Sequence, residues 1–249
     1  MNKLQSNILT LLKEFDNVCR NNDIHYTLHG GSLLGAIREK GFIPWDDDAD
    51  IGMFRGDYNK LLSLLNTTTS IQIDYKNSPH KVSIIIDNEY IWLDIFIYDY
   101  ISSSKFGSRL KIILEDIFMT FNKNDKNLAT TKVKWSYPKY LFIKFVSLIG
   151  KLLPKSYVKN TLAHIREKSL CGDKQYVHRS NDHHKGRLEI HPKSIIEDYI
   201  YVVFEDTKLM VSKEYERILI ASYGEDYMIP KKPDEASILG HDLTRNSGK

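Results

Sequence analysis

Asp46, Asp47, Asp48 and Asp50 put four carboxylates into five positions, immediately ahead of Ile51-Gly52-Met53, and no other stretch of the chain restricts its fold as much. Two carboxylates about 4 Å apart repel by roughly 4 kcal/mol at an effective dielectric near 20, so the arrangement is costly unless a divalent cation lies between them. Read as the end of a loop entering a strand, the segment alternates, which predicts Asp46, Asp48 and Asp50 on one face and Ala49 and Ile51 on the other. Ligands that are all oxygen favour Mg²⁺ or Mn²⁺.

Two further features bear on this cluster. Upstream, Ile24 to Leu28 reads as a short strand that delivers the chain into Gly30-Gly31-Ser32. A short helix marked by Leu33, Leu34 and Ile37 follows and ends before Gly41. Strand, glycine turn and helix N-terminus together form a phosphate cradle. Downstream, Asp94 interrupts the apolar strand Tyr90-Ile91-Trp92-Leu93-Asp94-Ile95-Phe96-Ile97, where an uncompensated carboxylate is expensive to bury. A salt bridge would be the plain structural account. With the acidic trio already upstream, a metal shared by Asp46, Asp48, Asp50 and Asp94 from two neighbouring strands is the stronger expectation.

Periodicity sketches the rest. Leu4, Ile8, Leu11, Leu12, Phe15, Val18 and Cys19 recur at helical spacing from 3 to 21, and Asn21-Asn22-Asp23 break the pattern. A helix over 57–65 and strands over 71–75, 82–86 and 90–98 complete an α/β core over 1–100. Residues 101–174 turn helical, with segments at 108–121, 138–152 and 156–169. The stretch 175–249 brings strands near 175–179 and 199–211 and a helix over 212–223, packing back on the core. The fold class is α/β (α+β), a mixed sheet flanked by helices with a mainly helical accessory region.

Composition narrows the function classes. With 249 residues, 42% hydrophobic and 27% charged, the chain can bury a substantial core. A net charge of +3 is too mild to argue for nucleic acid, and none is expected as a partner. Cys19 and Cys171 make neither a disulfide framework nor a zinc spacing, which suits a reducing cytoplasm, and the N-terminus lacks the apolar core of a signal peptide.

Three patterns compete with the acidic reading. Asp46-x-Asp48-x-Asp50 opens like an EF-hand loop but has Ile51 where that loop needs glycine and Asp57 where it needs glutamate. His178, His183, His184 and His191 fit no zinc spacing and read as a loop of exposed histidines, with Lys185 and Arg187 available to an anionic substrate and Glu189 without a role. From Lys132 to Asn160 there are seven lysines and no acid, interleaved with apolar and aromatic residues. The segment 132–160 fits either the interface of an anionic membrane or a core helix with a solvated lysine face.

Leu28-His29-Gly30-Gly31-Ser32-Leu33-Leu34-Gly35-Ala36-Ile37-Arg38, continuing through Gly41-Phe42-Ile43-Pro44-Trp45-Asp46-Asp47-Asp48-Ala49-Asp50-Ile51-Gly52-Met53, resembles the LicD family of phosphocholine transferases. That family lies within the nucleotidyltransferase superfamily and is distantly related to the fukutin group. Trp92-Leu93-Asp94-Ile95-Phe96 is similar to the family's third-acid strand, and Phe204-Glu205-Asp206 through Tyr223-Gly224-Glu225-Asp226-Tyr227-Met228 to its C-terminal ending. About residues 100–175 carry none of the likeness. Ser32 stands where threonine is common and Ala49 where a larger aliphatic is usual, and both keep the chemistry.

The resemblance implies a nucleotidyltransferase-like catalytic core over 1–100. It implies metal-dependent transfer of phosphocholine from CDP-choline, or of phosphoglycerol or phosphoribitol from its CDP donor, to a hydroxyl of a bacterial surface glycan or its lipid-linked precursor, releasing CMP. Asp48, Asp50 and Asp94 would be catalytic metal ligands for Mg²⁺ or Mn²⁺ with Asp46 a fourth. Gly30, Gly31 and Ser32 would hold nucleotide phosphate and Arg38 would be a cationic phosphate contact. Activation of the acceptor hydroxyl would fall to an acid of the cluster left off the metal, Asp94 or Asp46, or to metal coordination alone. Nucleotidyl transfer with pyrophosphate as leaving group is the neighbouring chemistry. The expected location is cytoplasmic, peripheral on the inner face of the membrane.

Overall fold

A computed structural model describes residues 1–65, 71–75, 79–122, 136–168 and 174–230, and of Lys139 the backbone alone. Lys132, Lys134, Trp135 and Cys171 lie outside the described residues. The chain divides into two compact units, one built from 1–98 together with the residues from Ser194 onward, the other from Asp99–Lys193.

In the first unit, α1 (Lys3–Asn21) opens with a capping box: the Asn2 side chain accepts from Gln5 N and the Gln5 side chain from Asn2 N. Its apolar stripe, Ile8, Leu11, Leu12, Phe15 and Cys19, is wholly buried, each large apolar side chain contributing about 1.5–3 kcal/mol by leaving water. The helix stops at Asn22, and Asp23 turns the chain at φ 51°. β1 (Thr27–His29) then runs directly into α2 (Gly30–Arg38).

Five strands form the sheet of this unit in the order β1, β2 (Asp50–Phe54), β5 (Glu89–Ile101), β4 (His80–Ile86), β3 (Gln72–Asp74). β2 and β5 are parallel and the other neighbours antiparallel, so the sheet is mixed. α3 (Arg55–Leu65) follows β2. On β5 the alternation is explicit: Ile91, Leu93, Ile95 and Ile97 are buried on one face, while Trp92, Asp94 and Phe96 on the other are half-buried.

The expectation of alternation from Asp46 onward holds only from Asp50. Residues 46–49 are loop, and the strand starts at the last of the four acids. The strand stretch expected over 199–211 is a hairpin, β8 (Tyr199–Phe204) and β9 (Thr207–Ser212), turned at Glu205 with φ 52°. It is followed by a helix, Tyr215–Tyr223.

In the second unit, α4 (Lys105–Phe121) is capped by Ser104, whose Oγ accepts from Gly107 N at 3.0 Å. α5 (Tyr137–Lys151) and α6 (Lys155–Glu167) both pack on it. Gly150 of α5 lies against the backbone of Phe121, where any β-carbon would collide. Lys111 is fully buried, and its Nζ donates to the carbonyls of Tyr100, Arg166 and Lys168. It thus places a cation at the C-terminal carbonyls of α6, where the helix dipole favours one. β6 (Tyr176–Arg179) and β7 (Ile190–Pro192) pair around a four-residue helix, α7 (His184–Arg187).

This second hairpin corrects the picture of exposed histidines. His183 and His184 are exposed, but His178 and His191 are buried. His178 Nε2 lies 3.3 Å from the buried Glu115 Oε1. Arg187 is buried too, its guanidinium taken up by Asp116, the Asp182 carbonyl and Glu115, and Glu189 pairs with Arg179 at 2.7 Å. Local spacing is silent about such burial because the neutralising acids stand some sixty to seventy residues upstream.

Candidate active site

The acids lie in two groups near the junction of β1, α2, β2 and β5, with Asp50 and Asp94 outside the one set of carboxylates close enough to share an ion among the described residues. Asp50 and Asp94 are register partners on the parallel strands β2 and β5, which sets both side chains on one face of the sheet. Asp94 N donates to Ala49 O at 3.0 Å, carrying the ladder one residue back toward the acidic loop. The row extends in both directions. His29 of β1 pairs with Asp50, and Lys81 of β4 pairs with Asp94, so four strands in succession present His29, Asp50, Asp94 and Lys81. Lys81 Nζ stands 3.7 Å from Asp94 Oδ1 and 4.1 Å from the Trp92 ring centroid. The ion pair expected as the plain account of Asp94 therefore exists, beside the acidic cluster.

Asp46, Asp47 and Asp48 form a second group, with one carboxylate oxygen from each within 4.8 Å of the others. Asp47 stands outside the expected ligand set, yet the loop gathers it with its neighbours. Crowding shows in the Asp46 carboxyl, pushed up to about 8 first by burial and then by the charges of Asp48 and Asp47. A half-buried, all-oxygen set under mutual repulsion is a fit for a hard divalent cation.

The glycine turn is shaped around these carboxylates. Gly30 has φ +54°, a region that costs a side-chain-bearing residue about 1–2 kcal/mol. A β-carbon there would also collide with Asp50 Oδ2, and one on Gly31 would collide with Asp46 Oδ2. Ser32 is buried and its Oγ accepts from Asp50 N at 3.0 Å. The first turn of α2 thus sets its positive dipole end beside Asp46 and Asp50. Arg38, at the other end of α2, gives Nε to Glu39 at 2.7 Å and Nη1 to the Tyr227 carbonyl at 3.3 Å.

Two residues hold the loop from outside. Gln5 is buried, and its Nε2 donates to the carbonyls of Ile43 (3.1 Å) and Asp46 (3.0 Å). Glu205, at the β8–β9 turn, accepts from Phe42 N at 3.0 Å and donates its own N to Lys40 O at 2.7 Å, while Phe204 packs edge-on against Phe42. Sequence reasoning assigned no role to His29, Lys81, Gln5 or Asp47. His29 stands next to the glycine turn and Glu205 lies within a quoted motif. Gln5 and Lys81 carry no local signal, because their roles come from register and tertiary contact.

Residues 23–147 match the family described as LicD/FKTN/FKRP, nucleotidyltransferase domain. The chain is similar to the lipopolysaccharide cholinephosphotransferase LicD of Haemophilus influenzae, 27% identical over 248 residues that cover 91% of each chain. It is 35% identical over 88 residues to an uncharacterized protein of Rickettsia typhi, covering 35% of this chain and 27% of that one. With the ribitol 5-phosphate transferase FKRP of Homo sapiens it shares 39% identity over 51 residues, 20% of this chain and 10% of that protein.

Proposed function

The chain belongs to the LicD family, a group of nucleotidyltransferase-domain enzymes that transfer phosphoalkyl groups, and from that premise we propose that it moves phosphocholine from CDP-choline to a hydroxyl of a bacterial surface glycan, releasing CMP. The observation that supports this reading best is the pairing of Asp50 with Asp94 in one register position, next to the loop of Asp46, Asp47 and Asp48. Asp48, Asp50 and Asp94, with Asp46, are the residues we assign to Mg²⁺ or Mn²⁺. Such a cation, when bound, supplies charge neutralisation at phosphate oxygens and lowers the pKa of a coordinated hydroxyl.

The protein's own part is placement. Gly30 and Gly31 leave room for the carboxylates and, with backbone N–H groups at the start of α2, offer the donor's phosphates a surface without side chains. Ser32 fixes Asp50 through its backbone N–H. Lys81, already beside Asp94, adds positive charge on the phosphate-facing side of the row. An acid of the cluster left off the cation, Asp46 or Asp94, takes the proton of the acceptor hydroxyl. A lipid-linked acceptor would place the protein peripherally on the inner face of the cell membrane. The likeness to FKRP, named for ribitol 5-phosphate transfer, favours phosphoribitol from CDP-ribitol as the second reading.

The test is incubation with Mg²⁺, a glycan acceptor and, in turn, CDP-choline, CDP-glycerol, CDP-ribitol or CTP. CMP released from CDP-choline is expected, and pyrophosphate from CTP would replace the proposal with nucleotidyl transfer. Asp48→Asn and Asp94→Asn are each expected to lower CMP release by at least about a hundredfold, the scale of losing one charge-stabilising group, with circular dichroism unchanged. Full activity in either variant would overturn the assignment.

A further inference from the structure

Helix α5 (Tyr137–Lys151) is buried along one side only, by Ile143, Ser147 and Gly150. Its other side is apolar where a solvated helix would be polar. Leu141, Phe142, Phe145, Leu148, Ile149 and, just past its end, Leu152 are between 40% and 84% exposed. At 3.6 residues per turn they occupy one arc of roughly 120°. Lys144 and Lys151, both exposed, border one edge of that arc, exposed Lys155 and Lys159 follow on α6, and no acid occurs from Ser136 to Arg166. On α4 the exposed Phe106 stands beside exposed Lys105.

The charge pattern selects the occupant. A second copy docked on this face by two-fold symmetry would bring the same lysines together with no carboxylate to neutralise them. No described helix is long and apolar enough to cross a membrane. A 15-residue helix, about 22 Å long, with aromatic and leucine side chains on one arc and lysines at its border is instead built to lie in an interface.

We propose that α5 docks in the plane of an anionic phospholipid bilayer, with Phe142, Phe145 and Leu148 at the acyl boundary and Lys144 and Lys151 at the lipid phosphates. This deepens the peripheral location proposed above and rests on it. Docking would bring the enzyme to the surface where a lipid-linked acceptor is presented.

Co-sedimentation of the full chain with vesicles tests it. Binding is expected to phosphatidylcholine vesicles containing phosphatidylglycerol, not to phosphatidylcholine alone, and to weaken with salt. A lysine near such a surface strengthens partition about fivefold, so Lys144→Gln with Lys151→Gln is expected to weaken binding about thirtyfold. Phe142→Gln with Phe145→Gln is expected to weaken it at least about tenfold. All four side chains are exposed or border the face, so both double variants should keep their circular dichroism and their transfer of phosphocholine to a soluble glycan. Unchanged vesicle binding in the variants, equal binding to neutral vesicles, or a dimer abolished by the phenylalanine variant would overturn the docking. Vesicle binding without transfer would overturn the catalytic reading alone, and transfer without vesicle binding the docking alone.

Discussion

Each glycine of the turn is small because a carboxylate occupies the space beside it: Asp50 at Gly30 and Asp46 at Gly31. The sequence made that turn legible as a place for negative charge, since glycines opening a helix expose N–H groups. It could not tell that the protein's own acids already lie there, because the contact joins residues 15 to 20 positions apart through a loop of no regular geometry. The crowding has a consequence for stability. Asp46 is half-buried beside Asp48 and Asp47, and those surroundings disfavour its charged form. Asp46→Asn removes that charge and keeps the backbone bonds from Asp46 N to Ile43 O and from Gln5 to Asp46 O. In chelator the variant is expected to be more stable than the parent by about 1 kcal/mol. The rise in melting temperature on adding Mg²⁺ is expected to shrink, since one of the carboxylates proposed to hold the cation is gone. Thermal unfolding with and without chelator measures both, and a variant less stable in chelator would show that repulsion does not govern this loop.

Elements hold that loop more than its own residues do. α1 reaches it through Gln5 and the β8–β9 hairpin through Glu205. On the helical periodicity of 3–21 Gln5 is an ordinary polar position, and only the meeting of α1 with residues 43–46 gives it a function. The row His29, Asp50, Asp94, Lys81 was half legible for a related reason. Acidic residues in apolar strands announce themselves by cost, whereas a histidine and a lysine acquire meaning only once strand order and register are known. Gln5→Ala removes three hydrogen bonds, those to the Ile43 and Asp46 carbonyls and from Asn2 N, at about 0.5–1.5 kcal/mol each, although Ile43 O keeps Asp46 N. A loss of about 2–3 kcal/mol is expected, together with weaker Mn²⁺ binding. Glu205→Gln keeps an acceptor for Phe42 N and should bind Mn²⁺ like the parent, while Glu205→Ala should not. Titration with Mn²⁺ by electron paramagnetic resonance separates these cases. Equal affinity in all three variants would mean the acidic loop supports itself.

At the scale of the molecule, the first unit is made of two stretches of chain separated by the second unit. Most helix and strand segments were legible because their periods are local, but the strand over 190–192 and the helix over 184–187 are too short to show one. The return of the chain after Ser194 was legible in outline through its apolar strands, but the atoms that close it were not. Tyr26 is fully buried. Its hydroxyl donates to Asp16 Oδ1 at 2.8 Å and accepts from Met210 N at 3.2 Å, and its neighbour Thr27 Oγ1 accepts from Ser212 N at 2.9 Å. One phenol thus ties α1, β1 and β9 together across 184 residues, in a setting where burial, and next the charge of Asp16, pushes its pKa well up. Tyr26→Phe keeps the ring that packs edge-on with Phe15 at 5.2 Å and removes only the hydroxyl. Met210 N and Asp16 each lose a buried partner, although Asp16 keeps Arg20 at 2.6 Å. The expected cost is about 2–3 kcal/mol, a buried polar group left without a partner being worth about 1–3. Because the change lies in the closure of the unit and not in the acidic loop, Mn²⁺ affinity of the folded variant should match the parent. Urea unfolding followed by Mn²⁺ titration reads both. A midpoint unmoved by the substitution would mean that Tyr26 does not join the two stretches, and an equal loss of Mn²⁺ affinity would mean that closure and site are one structure.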